Sequence, residues 1–255
     1  KQQNERAQNK EDFKPFTNDF IFALVMRDPD ICKGIAELII PDEEIGEVKI
    51  AASENSSPDE KNEKDELEIA LQAYLDFGKD MRGVRFDAYV KTADKWIDIE
   101  MQTTLQKDLG KRTRYYQGMI DLNLIEKGAK YSKLKKTFII FICLNVPFPD
   151  NLPIYTFNNI CEENKSIYLN DDATKVIINA NGNRTGLSQD MCAFLDFLQN
   201  KSPKSEFTEK LQKAVEKATN NEEWEVEYMT MAMKIQEERE EAKIETTIGL
   251  LSEFQ

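Results

Sequence analysis

Two short stretches decide the fold of this chain: Val84-Arg-Phe-Asp-Ala-Tyr-Val90 and Trp96-Ile-Asp-Ile-Glu-Met-Gln102. Apolar and polar residues alternate in both, which is typical of β-strands, and the turn-forming stretch Thr92–Lys95 between them predicts an antiparallel hairpin. If this turn closes symmetrically, the numbers of paired residues add up to 187. Asp87 then lies directly opposite Glu100, with both side chains on the same face of the sheet.

Two carboxylates at such a pair of positions have a chemical use. Directly opposed residues have Cβ atoms about 4.5–5.5 Å apart, and like charges at that distance destabilise a sheet. A divalent cation between Asp87 and Glu100 would remove this repulsion, so the pair is a candidate metal site. The competing interpretation is an ordinary amphipathic edge strand, whose polar residues carry no chemistry.

The sequence on either side of the hairpin predicts an α/β domain. Residues Lys107–Lys127 have helical spacing and end at Gly128, and Thr137–Asn145 is the continuous apolar run expected of a central strand buried on both faces. A helix capped by Thr17 or Asn18 precedes the hairpin. A mixed sheet flanked by helices accounts for this order of elements.

Composition divides the chain into three regions. We expect a disordered N-terminal segment at residues 1–14 and an α/β domain at 15–200, with an acidic loop inserted at 53–66. Residues 201–255 are acidic and rich in Glu and Lys, which predicts a helical C-terminal region. This region is a candidate surface for forming a homodimer.

The absence of histidine narrows the chemistry. It excludes Ser-His-Asp and Cys-His hydrolases, histidine-dependent metallonucleases and zinc sites built from Cys and His. Catalysis must then rely on carboxylates, amides, lysines or a hard metal, and oxygen ligands favour Mg²⁺ or Mn²⁺ over Zn²⁺. The four cysteines form no C-x-x-C motif and the longest apolar run is too short to span a membrane, so we expect a cytoplasmic protein.

Charge is unevenly distributed along the chain. The net charge is −13, yet residues 79–136 include 14 basic and 8 acidic residues, which gives this window a local charge of +6. Phosphate contacts need Lys and Arg, so any contact with nucleic acid is expected in this window, which also contains the hairpin. Within it, the predicted helix offers Lys111, Arg112, Tyr115 and Tyr116 as candidates for contacting a phosphate backbone. The commoner situation for Arg112, Arg114 and the two tyrosines is a solvated helical face with aromatic core residues.

Several blocks of the sequence together carry a family resemblance. They are Arg85-Phe-Asp-Ala-Tyr-Val90, Ile97-Asp-Ile-Glu-Met-Gln102, Arg112-Thr-Arg-Tyr-Tyr-Gln117 and Pro153-Ile-Tyr-Thr-Phe157. In this order they resemble the PD-(D/E)XK nuclease family transposases, also called the Rpn family of recombination-promoting nucleases. The resemblance implies an αβββαβ core of the restriction-endonuclease type, magnesium-dependent DNA cleavage, and a bacterial mobile-element or defence context.

The resemblance also assigns roles to single residues. Asp87 and Glu100 match the metal-binding carboxylates of the family, helped by the backbone carbonyl of Ile99 or Met101. Asp19 falls where an acid on the first helix is expected and is a candidate third ligand. The other interpretation of Asp19 is a first-turn acid favoured by the helix dipole.

Gln102 takes the place of the lysine in the motif that gives the family its name. A lysine can stabilise developing negative charge, whereas a neutral amide can only orient water. Another residue must then provide the positive charge of that lysine. Arg112 is the first candidate, and Lys91 and Lys111 are weaker ones.

These observations predict a metal-dependent DNA endonuclease that hydrolyses phosphodiester bonds, with Mg²⁺ or Mn²⁺ as its cofactor. One alternative is a catalytically weak or inactive module that keeps the nuclease fold and binds DNA or protein. Another is a carboxylate-based hydrolase that acts on something other than nucleic acid.

Overall fold

The computed structural model describes residues 14–46, 49–50, 74–75, 84–85, 88–92, 94–125 and 128–220. The chain divides into two compact units, residues 14–215 and residues 1–13 with 216–255. The predicted acidic loop at 53–66, Asp87, and the C-terminal region after residue 220 lie outside the described residues, as does the predicted disordered segment except Lys14.

The helices and strands follow the order expected from the sequence. The described helices are α1 (Asp19–Val25), α2 (Pro29–Ile39), α3 (Leu109–Leu124), a 3-10 turn (Tyr131–Lys133), α4 (Gln189–Leu198) and α5 (Glu206–Thr219). The described strands are β1 (Lys49–Ile50), β2 (Tyr74–Leu75), β3 (Val84–Arg85), β4 (Ala88–Lys91), β5 (Lys95–Gln102), β6 (Lys136–Cys143), β7 (Ile154–Phe157) and β8 (Ala173–Asn179).

The two helices before the hairpin begin at residues that cap them. The side chain of Asn18 accepts hydrogen bonds from the first turn of α1, and the side chain of Asp28 does the same for α2, which has Pro29 in its first turn. Helix α1 therefore begins at one of the two predicted caps, Asn18. No described helix is long and apolar enough to cross a membrane.

The predicted hairpin and its register are confirmed by β4 and β5. These strands are antiparallel, with Tyr89 paired to Asp98 and Ala88 paired to Ile99. Its turn is closed by Thr92, whose amide donates to the carbonyl of Lys95 and whose hydroxyl accepts from the Lys95 amide. The next pair in this register is Asp87 with Glu100, which stays a prediction because Asp87 is outside the described residues.

The first strand of the hairpin differs in extent from the prediction. We expected one strand over Val84–Val90, but among its described residues only Ala88–Val90 belong to β4 and pair with β5. Val84 and Arg85 instead form β3, which pairs with β2 in a separate two-stranded sheet. The expectation of one continuous strand was therefore wrong for Val84–Arg85.

The main sheet has six described strands in the order β1-β4-β5-β6-β8-β7. Strand β1 is antiparallel to β4 and β4 to β5, while β6 is parallel to both β5 and β8. Helix α3 makes the crossover between the parallel strands β5 and β6. The result is the predicted mixed αβββαβ core, extended by β8 and the antiparallel strand β7.

Helix α3 packs on one face of this sheet. Its residues Tyr116 and Ile120 share a buried cluster with Phe141 and Ile177 of the sheet. Side chains on the opposite face, such as Ile97 and Ile140, are also fully buried. Strand β5 is therefore internal, and all eight of its residues are buried. Strand β5 is therefore not an edge strand, because β6 pairs along its second side and α3 packs over its polar face.

Charged side chains fix the chain between α4 and α5. The carboxylate of Asp196 in α4 lies 2.9 Å from the ammonium groups of Lys201 and Lys204 and 3.4 Å from the guanidinium of Arg184. The two lysines lower the pKa of Asp196 to about 2. Because this one carboxylate contacts three cations, its removal should measurably lower the free energy of unfolding.

We expect Asp196→Asn to lower the free energy of unfolding at pH 7 by about 1–2 kcal/mol, since exposure of the lysines weakens the pairs. Folding lowers the pKa of Asp196, so its contribution is complete above the ordinary value of 3.8 and is lost as the pH falls towards 2. Urea unfolding of both proteins at pH 7 and pH 3 measures the change. Glu37→Gln, in an exposed pair with Lys33, is the control; a difference that does not shrink at low pH would contradict the assignment.

Candidate active site

Glu100 lies at the centre of the candidate site. It is on the internal strand β5, it is 3% exposed, and its backbone pairs with that of Phe141 in β6. Alternation along β5 puts its side chain on the same face as Trp96, which belongs to the cluster under α3. A carboxylate at this depth must be compensated by hydrogen bonds or positive charge.

Tyr116 of α3 supplies a hydrogen bond to this carboxylate. Its hydroxyl donates to Glu100 Oε2 at 3.0 Å, and its ring packs edge-on against Phe141 with centroids 5.6 Å apart. Burial raises the pKa of Tyr116 strongly, and the charge of Glu100 raises it further. The hydroxyl therefore stays protonated at neutral pH and remains a donor.

Arg112 lies one turn before Tyr116 and connects the polar groups of the site. One guanidinium nitrogen, Nη2, is 4.0 Å from Glu100 Oε2 and donates to the Tyr116 hydroxyl at 3.2 Å. The other, Nη1, donates to Gln102 Oε1 at 2.5 Å. The guanidinium also lies over the ring of Phe141, 5.2 Å from its centroid. A cation thus sits between the buried carboxylate and the glutamine.

The amide of Gln102 is fixed in one orientation. Arginine has only donors, so the carbonyl oxygen of Gln102 must face Arg112. Its nitrogen then donates to the carbonyl and hydroxyl oxygens of Thr104, at 3.1 and 3.0 Å. Because both ends of the amide are held, the side chain has little freedom to reorient.

Asp98 is a residue of this site that the sequence prediction did not include. It is fully buried and shares the face of β5 with Glu100 and Gln102. Its charge contributes to the raised pKa of Tyr116, which places its carboxylate in the same electrostatic environment. The alternation of β5 carried the signal for this position, but an exposed aspartate would have given the same pattern.

The remaining predicted site residues are exposed on helices or lie outside the described residues. Lys111 and Tyr115 are exposed on α3, which also carries Arg112 and Tyr116. Asp19 is exposed in the first turn of α1. Asp87 lies outside the described residues. The structure therefore brings together Glu100, Gln102, Arg112 and Tyr116.

The ligand chemistry of the site fits a hard divalent cation. The carboxylates of Asp98 and Glu100 and the amide of Gln102 offer oxygen ligands, which Mg²⁺ and Mn²⁺ prefer. Within the described ranges no group of three or more His, Cys, Asp or Glu is arranged to hold a metal ion. A complete metal site therefore requires a further ligand, for which Asp87 is the candidate.

Neither the curated proteins nor the solved structures gave a match. The sequence model of the PD-(D/E)XK nuclease family transposases matches residues 40–250. This match includes the hairpin, α3 and every residue of the site described above, and it begins after α1, which carries Asp19.

The family match and the fold agree. A mixed sheet flanked by helices, with acidic residues on a central strand, is the architecture that the sequence resemblance implied, and the match extends over most of the chain. A nuclease-type function follows from it at the level of the family. The chain belongs to the PD-(D/E)XK nuclease family transposases.

Proposed function

We propose that this chain is a metal-dependent DNA endonuclease that hydrolyses phosphodiester bonds at Glu100. The observation that carries the proposal is the position of Arg112, whose guanidinium bonds Gln102 and lies 4.0 Å from Glu100. A glutamine in place of the motif lysine removes a cation from the site. Arg112 supplies a positive charge at the same place from the neighbouring helix.

Asp87 and Glu100 would hold Mg²⁺ or Mn²⁺, with the carbonyl of Ile99 or Met101 as a further ligand. Continuing the observed register of β4 and β5 by one pair puts the two carboxylates opposite each other. Asp19 remains a candidate ligand, although it is exposed on α1. When bound, such an ion supplies positive charge beside the scissile phosphate and activates water for attack.

Gln102 is suited to orienting the attacking water. An amide oxygen has two lone pairs, and the hydrogen bond from Arg112 uses one of them. The second lone pair of the amide oxygen can accept a hydrogen bond from the attacking water. This bond would direct a lone pair of the water oxygen towards phosphorus. Because Thr104 holds the amide nitrogen, the orientation exists before substrate binds.

Arg112 would bind a non-bridging phosphate oxygen and stabilise the charge that develops during attack. Its side chain is 31% exposed, so part of the guanidinium can be reached from solvent. Water adds to phosphorus and gives up a proton, the bond from phosphorus to the 3′ oxygen breaks, and that oxygen takes up a proton. By analogy with the family, the products are a 5′-phosphate and a 3′-hydroxyl. Tyr116 holds Glu100 and Arg112 in place, while Lys111 and Tyr115 would contact the DNA backbone.

Plasmid nicking with Mg²⁺, Mn²⁺, Ca²⁺ and EDTA tests the proposed activity. We expect cleavage with Mg²⁺ or Mn²⁺ only, and a loss of more than about 100-fold in Asp87→Ala and Glu100→Gln, because each removes a metal-binding charge. Thermal melting confirms that both variants fold. Cleavage that persists in both variants would show that Asp87 and Glu100 are not the catalytic residues. A wild-type protein that folds and binds DNA without cutting it would favour the interaction-module alternative.

The DNA surface is tested through binding. Arg112→Ala and Lys111→Ala should each weaken DNA binding, and each should reduce the salt dependence of the affinity by about one phosphate contact. Titrations at several salt concentrations in EDTA measure both quantities. Lys165→Ala, an exposed lysine outside the basic window, is the matched control. If Lys165→Ala has the same effect, binding is non-specific and the surface is wrongly placed.

Tyr116→Phe tests the hydrogen bond of Tyr116 to Glu100 separately from the packing of its ring. The ring and its contact with Phe141 are retained, while the hydrogen bond to the buried Glu100 is lost, so the free energy of unfolding should fall by about 1–2 kcal/mol. Cleavage should fall as well, because Glu100 and Arg112 lose a common partner. Denaturant unfolding and plasmid nicking measure the two effects. Tyr131→Phe, at a position that is 84% exposed, should leave stability and cleavage unchanged; equal effects of the two variants would refute the assigned role.

A further inference from the structure

A cavity lies beside α3, on the side of the helix away from Arg112. It is a cavity of about 430 Å³ between the start of α3 and the sheet edge formed by β7 and β8. Its lining includes Gly110 and Arg114 of α3, Phe148, Phe157, and Lys175 and Ile177 of β8. The volume falls in the range of sites that take small organic ligands.

The lining combines flat apolar walls with positive charge. The rings of Phe148 and Phe157 lie with centroids 5.3 Å apart, and Phe157 is 43% exposed. Arg114 and Lys175 are basic, and none of the described lining residues is acidic, although the whole chain has a net charge of −13. Asp121 interacts with Lys175 without lining the cavity, which leaves Arg114 as the stronger anion contact. Such a lining suits an aromatic ring that carries a phosphate.

The cavity lies close to the candidate active site. Glu100 pairs with Phe141 and Phe141 pairs with Ile177, so Glu100 and Ile177 are in register two strands apart. At the spacing of neighbouring strands, their backbones are about 10 Å from each other. This distance is short enough for one DNA strand to contact both places.

Basic residues of α3 lie between the candidate active site and the cavity. At 100° per residue, Arg112 and Arg114 point to opposite flanks of the helix, and Lys111 lies between them on the side away from the sheet. Lys111 and Arg114 are exposed and Arg112 is partly exposed. The phosphates of a strand that passes over the first turns of α3 would meet these cations in succession.

We infer that the cavity holds an unpaired base of the DNA strand that is cut at Glu100, so that the substrate is single-stranded or locally opened DNA. This inference rests on the proposed nuclease function. Bases stack on aromatic side chains in proteins that bind single strands, and a base inside an intact duplex cannot enter such a cavity. Arg114 and Lys175 would hold the phosphate of the same nucleotide.

Two glycines of α3 provide a matched pair of variants. A Cβ atom at Gly110 or at Gly118 meets no atom within 4 Å, so both helical positions accept a larger side chain. Gly110 lines the cavity and Gly118 does not. A leucine side chain at 110 would occupy part of the cavity, whereas leucine at 118 makes the same chemical change away from it. Both changes favour the helix, so neither should prevent folding.

Binding to a fluorescein-labelled oligo-dT strand and to its duplex with oligo-dA is measured by anisotropy in EDTA, where no cleavage occurs. We expect wild type to prefer the single strand. Gly110→Leu and Phe157→Ala should weaken single-strand binding by roughly tenfold or more, as loss of one stacked base does, and leave duplex binding unchanged. Gly118→Leu should bind both as wild type does.

The inference is overturned if Gly110→Leu binds the single strand as tightly as wild type, or if it loses single-strand and duplex binding equally. It is supported if only single-strand binding falls. Because binding is measured without cleavage, the two proposals can fail separately. A wild-type protein that shows this selective binding but nicks no DNA with Mg²⁺ would overturn the nuclease proposal and retain the cavity as a nucleotide site.

Discussion

The burial of one carboxylate constrains the rest of the structure. Glu100 is carried into the interior by a central strand, where an uncompensated charge would cost several kcal/mol. The hydroxyl of Tyr116 and the guanidinium of Arg112 offset this cost, and both come from α3. The helix must therefore pack over β5 and β6, which the crossover between these parallel strands ensures. The crossover topology is thus what brings the two compensating groups to the buried carboxylate.

Much of the fold could be predicted because it is encoded locally. The alternation of β5, together with the turn at Thr92, fixes which residues pair, and the observed register of β4 and β5 is the predicted one. The capping side chain of Asn18 marks the beginning of α1, and the apolar run of β6 has the composition of a strand covered on both faces. Each of these signals lies within a few residues of the feature it predicts.

The rest depends on contacts between distant parts of the chain. Nothing in the alternation of β5 distinguishes a buried Asp98 from an exposed one; its burial results from β6 and α3 covering the strand. Spacing put Arg112 and Tyr116 on one side of α3, but the contacts of Arg112 with Gln102 and of Tyr116 with Glu100 follow from how the helix rests on the sheet. The cavity beside β8 has no signature in the sequence, because its walls come from four separate segments.

The contact between Gln102 and Arg112 also couples these two positions. A lysine at position 102 would put an ammonium group where Arg112 now donates a hydrogen bond, so two cations would compete for one place beside Glu100. Restoring the motif lysine should then be tolerated only where the arginine is also replaced. The site balances one buried carboxylate against one cation, and a change at either position alters that balance.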